Sequence, residues 1–270
     1  MKENPHLPDP SRLSVLTATI LLSFALTRIL NVPQGNISIP VFGLMLTIPI
    51  SLNLAITLLS AALTAAGMDW LLRTHSSLEE GETREHWLLP ALTVLVLGIT
   101  LNTLPDGLTW WLGFTLGAIL LVLVLISEYV AVDPSDIRYP MATATLTSLA
   151  FAIFLVLAGA LKASNGRLFL VAPAIFGGSF LAALRTLHLR LNERWEYAWA
   201  IGIGLVGMQL GAALHYWPLT PVRFGLALLA PVYALTILAV AVASGTPFRK
   251  AALEPGIMLV LLWGLMIWFR

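Results

Sequence analysis

Runs of about 18 or more predominantly apolar residues recur along the whole of this chain, and no other feature restricts its fold so far. Away from water a segment of that length can satisfy its own backbone as a helix, while an open strand cannot. Periodicity and breaker residues place helices at 13–30, 51–73, 86–104, 109–131, 141–161, 168–190, 197–215, 221–243 and 253–269. Composition agrees: 58% of residues are hydrophobic, 11% are charged and the mean hydropathy is +0.88. In soluble domains about a quarter of residues are charged. The expected fold is an all-α integral membrane protein of nine transmembrane helices.

One stretch departs from that rhythm. In "NVPQGNISIPVFGLMLTIPISLNL", residues 31–54, prolines stand at 33, 40 and 49 and apolar residues alternate with others. Alternation runs through Ile37, Ile39 and Val41, changes parity across Phe42-Gly43, and resumes through Leu44, Leu46, Ile48 and Ile50. A change of parity is what a turn or bulge produces. The expectation is an extended, hairpin-like cap on the outer face that turns near Phe42-Gly43 and runs into the second helix. Unpaired strand edges cannot face lipid, so such a cap lies on protein or over a water-filled vestibule.

Basic residues orient the bundle, since cytoplasmic loops carry the excess of Lys and Arg. With the N-terminus inside, Lys2, Arg12, Arg73, Arg84, Arg138, Arg185, Arg190, Arg194, Arg249 and Lys250 are cytoplasmic, ten against five outside. A tenth span at 37–50 would leave six inside and nine outside. Nine helices therefore put the N-terminus in the cytoplasm and the C-terminus outside. Residues 1–12, with three prolines and mixed charge, read as a disordered cytoplasmic tail before one polytopic membrane domain, 13–270. Offset by 112 residues, the chain also corresponds to itself: "LRT" at 72–74 falls on 184–186, Trp87 on Trp199, Gly113 on Gly225 and Asn53 on Asn165. Helices two to five would then register on six to nine, and the expectation is a parallel 4+4 internal repeat spanning 51–161 and 165–270, with chance likeness between amphipathic helix ends as the even alternative.

The dispersed basic residues and a net charge of +1 offer nothing to nucleic acid. The absence of cysteine removes disulfides, thiolate metal sites and cysteine nucleophiles. No spacing of His, Asp or Glu reads as a metal site, and no motif calls for a cofactor. The helix centres are almost free of ionisable residues; Gln209, among Gly202, Gly204, Gly207 and Gly211, is the main polar exception. Its amide is expected to bond across to a neighbouring helix. Chemistry-bearing side chains gather at the cytoplasmic ends instead. Asp69 and Arg73, four apart, share a helix face and can pair. Arg185 and His188 end the sixth helix, and Glu128 ends the fourth. Together Asp69, Arg73, Arg185, His188 and Glu128 form a candidate pocket for an anionic lipid headgroup, with arginines as clamps. The plainer alternative is snorkelling and local pairing.

Three functions fit these features. The leading one is a non-catalytic structural or accessory membrane subunit, with membrane lipid and other membrane-protein subunits as partners. A carrier for a neutral or amphipathic solute is the second. The third is an integral-membrane enzyme or flippase acting on a lipid-linked phosphate.

Overall fold

A computed structural model describes residues 8–29, 35–41, 44–50, 52–73, 83–191 and 194–268. Helix α1 (Pro10–Ile29) is followed by strands β1 (Gly35–Val41) and β2 (Leu44–Ile50), then by α2 (Leu52–Leu72). A single 3-10 turn, Arg84–Trp87, leads into α3 (Leu88–Thr103), and α4 (Leu108–Val130) and α5 (Tyr139–Ala163) follow. The chain continues through α6 (Leu168–Arg190), α7 (Tyr197–His215) and α8 (Pro221–Ala243). A one-turn α9 (Phe248–Ala251) runs into α10 (Leu253–Trp268). Among the described residues nine helical segments are long and apolar enough to cross a bilayer. The bounds of α6, α7 and α8 coincide with the sequence expectation, and the others differ by a few residues. The first helix starts earlier, at Pro10, because proline suits a first helical turn, where its missing N–H is not needed.

The two strands pair antiparallel, Gly35 opposite Ile50 and Val41 opposite Leu44, with Pro40 facing Met45 and Asn36 facing Pro49. The expected turn at Phe42-Gly43, most of the loop 74–85 and most of the N-terminal tail lie outside the described residues.

Hydroxyls inside the helices are satisfied locally. The side chains of Thr64, Thr93, Ser179, Thr186 and Thr236 each donate to the carbonyl four residues back, at 2.6–2.8 Å. A buried polar group is tolerable when its bond is made in this way. These four threonines and Ser179 therefore demand no partner from another helix.

The chain groups into two compact units, 1–129 and 130–270. In the first, α1 packs on α2 and α2 on α3. Arg12 Nη1 donates to the Trp70 carbonyl at 3.1 Å while its guanidinium lies 4.8 Å from the Trp70 ring centre, tying the start of α1 to the end of α2. At the opposite end Asn53 Nδ2 donates to Asn102 Oδ1 at 3.0 Å, joining the start of α2 to the end of α3. Arg28 engages Asp106 there and lies over Trp110.

In the second unit α5 packs on α6 and α8, α6 on α7, α7 on α8, and α8 on α10. Leu146, Phe154, Ile175, Ala182, Ala200, Phe224, Leu228 and Val232 are buried in its core. The small residues of α7 set the α6–α7 approach. A Cβ on Gly204, Gly207 or Gly211 would press on Phe176, Ser179 or Ile175, whereas one on Gly202 would meet nothing within 4 Å. Three of the four glycines therefore form the packing face. Thr220 Oγ1 accepts from the Arg223 backbone N–H at the start of α8, where Pro221 occupies the first turn. Gly245, at φ +81°, closes α8 in a left-handed conformation that favours glycine.

Candidate functional site

In the first unit the end of α2 meets the Arg84–Trp87 turn. Asp69 Oδ2 accepts from Arg73 Nε at 2.8 Å, as their four-residue spacing dictates. Its other oxygen accepts from Thr83 Oγ1 at 2.6 Å. The Arg73 side chain stays 73% exposed. Only its Nε serves the carboxylate, so the outer nitrogens of the fork have no bond among the described residues.

Glu128 joins a residue that sequence reasoning passed over. Its Oε2 lies 2.8 Å from His86 Nδ1, and Glu85 Oε1 lies 3.5 Å from His86 Nε2. The Glu128 side chain is fully buried and His86 nearly so. A histidine held between two carboxylates has its ring orientation set by them. Such a pair can hold a proton, and enclosed like this it can also lock the 3-10 turn to the end of α4. The one hint in the sequence was an ionisable residue at the start of an apolar run, which many harmless helix ends share.

The other two expected site residues belong to the second unit. Arg185 is 1% exposed and His188 2%. The His188 ring stacks on Trp195 at 4.2 Å, and Trp195 in turn stacks on Tyr197 at 5.7 Å. Arg185 and Arg73 stand 112 residues apart but differ in surroundings, one enclosed and one exposed. Within the first unit the structure joins Asp69 to Arg73 and Glu128 to His86.

At the other end of the second unit, Lys162 Nζ donates to the carbonyls of His215 and Trp217, at 2.6 and 2.9 Å. A cation on the last carbonyls of a helix favours its negative end, so Lys162 clasps the end of α5 to the end of α7. Beside this clasp opens a groove of about 770 Å³ between the start of α6 and the end of α7, with Arg167, Phe169, Met208, Gln209 and His215 in its walls. The bond expected between Gln209 and a neighbouring helix is not made: its exposed amide has no hydrogen bond among the described residues.

These features define a class, a mainly helical protein with, among the described residues, nine segments suited to a bilayer and charged side chains gathered near the segment ends. More narrowly, the chain belongs to the DUF5656 family, described as proteins of unknown function, whose model matches residues 32–269. Comparison with the curated proteins and with the solved structures gave no match.

Proposed function

We propose that the chain is a multi-pass membrane protein, N-terminus cytoplasmic and C-terminus outside, and that it serves as a non-catalytic accessory subunit. The supporting observation is α10. Of its described side chains Pro255 alone is fully buried, while Leu253, Ile257, Val260, Leu261, Leu265, Ile267 and Trp268 are exposed. A helix apolar on all sides is at home in lipid or against another membrane helix. Trp263 Nε1 donates to the Ala227 carbonyl at 3.3 Å and anchors α10 on α8, leaving its outer face for lateral contact. The hairpin between α1 and α2 is the outer-face cap of this arrangement. On this reading one leading helix precedes two four-helix repeats; the family match begins at residue 32, beyond that first helix.

The test is a photocrosslinking residue at Leu261 in cells. A single protein species captured there, and destabilisation of the chain when that species is deleted, is the expected result. Capture of lipid alone overturns the accessory role.

A second reading has its own observation in the exposed outer nitrogens of Arg73. With Asp69 bracing it, Arg73 would take an anionic headgroup on the cytoplasmic side. Arg73→Gln should then lower headgroup retention without lowering expression, and unchanged retention sinks that reading.

A further inference from the structure

We infer that the groove between the start of α6 and the end of α7 is a binding site for one anionic phospholipid. The inference needs the chain to span a bilayer; it does not depend on the accessory role.

Charge comes first. The end of the second unit that carries the groove has Lys162, Arg167, His215 and Arg223, and no Asp or Glu occurs in 137–192 or 197–253. Lys162 is occupied by two carbonyls. Arg167 is exposed on the groove wall and its side chain has no partner among the described residues. An unopposed guanidinium at a membrane-facing helix end is suited to phosphate, which it can hold through two parallel bonds.

Polar groups then follow depth. His215 Nδ1 is enclosed without a hydrogen bond among the described residues. Gln209, on the same wall, lies six residues further into α7, about 9 Å at 1.5 Å per residue. Its free amide donors sit where glycerol ester oxygens lie below a phosphate, and Phe169, Ala172, Met208 and Ala212 supply apolar wall for the upper acyl chains. An amide exposed to hydrocarbon is costly unless something bonds to it. The volume, about 770 Å³, is within the usual size of ligand sites, roughly 300–1,000 Å³.

At the positions 112 residues earlier, the first unit is closed. Asn53 and Thr57 lie 112 residues before Asn165 and Phe169, which line the groove. There Asn53 bonds Asn102, Thr57 fills the notch at Gly98, and Phe24, Thr27 and Arg28 of α1 complete the wall, leaving about 30 Å³.

The experiment uses the full chain reconstituted with equal phosphatidylglycerol and phosphatidylcholine, then stripped mildly and weighed by native mass spectrometry. The wild type should keep one phosphatidylglycerol per chain in preference to phosphatidylcholine. Arg167→Gln should lower that retention about tenfold, as loss of a charged hydrogen bond implies, and Gln209→Leu should lower it with no fall in melting temperature. Arg249→Gln, in α9, should leave it unchanged. Equal retention of the two lipids by the wild type, wild-type retention by both groove variants, or displacement by excess inorganic phosphate overturns the site. Failure here leaves crosslinking at Leu261 as a separate result.

Discussion

At the level of single residues, the contrast between Asp69 and Glu128 carries the most information. Asp69 pairs with a largely exposed arginine, and exposed pairs contribute about 0–1 kcal/mol. Glu128 is fully enclosed against His86, and removing one partner of a buried pair typically costs about 3–5 kcal/mol because the other is left in the interior without that bond. Glu128→Ala should therefore lower unfolding free energy in detergent by about that amount, and Asp69→Ala by no more than about 1 kcal/mol. Equal small losses would show that the enclosed pair contributes no more than the exposed one. Spacing alone predicts the Asp69–Arg73 pair, since four residues make one helical turn. The His86–Glu128 pair joins positions 42 apart, and no local rule connects them.

Among elements, the α6–α7 contact is the most sharply specified. Gly207 faces Ser179 and Val232, and an added methyl there would lie 2.8 Å from Ser179 Oγ. Overpacking of this kind costs about 1–3 kcal/mol, so Gly207→Ala should destabilise the protein measurably. Gly202→Ala meets open space and should instead gain up to about 1 kcal/mol from the reduced freedom of the unfolded chain. If chemical denaturation shows the two variants alike, helix propensity rather than close approach governs the glycines. The cluster of four glycines was readable as a small-residue face. Which of them touch α6 depends on the rotation of α7, and that is set by packing.

For the molecule as a whole, the absence of cysteine allows a clean test of orientation. Ser135→Cys, between α4 and α5, should react with a membrane-impermeant thiol reagent only after the cytoplasmic side is opened. Ser164→Cys, between α5 and α6, should react in intact cells. The reverse pattern would invert the protein and move the α6–α7 groove to the inner leaflet. Both serines are exposed, so labelling at these positions reports sidedness rather than burial.

The nine long helical segments among the described residues follow from the sequence itself, because an apolar run of bilayer length has few ways to bond its own backbone. The alternation across 35–50 likewise foretold paired strands, since a period of two suits no helix. Distant partners were decided elsewhere. Only the tertiary structure brought His86 to Glu128, left the Gln209 amide without a bond among the described residues, and closed the Asn53 notch while opening the one beside Arg167. Those outcomes depend on how helices rotate and approach one another. Apolar side chains of similar size specify that geometry jointly, through their combined packing.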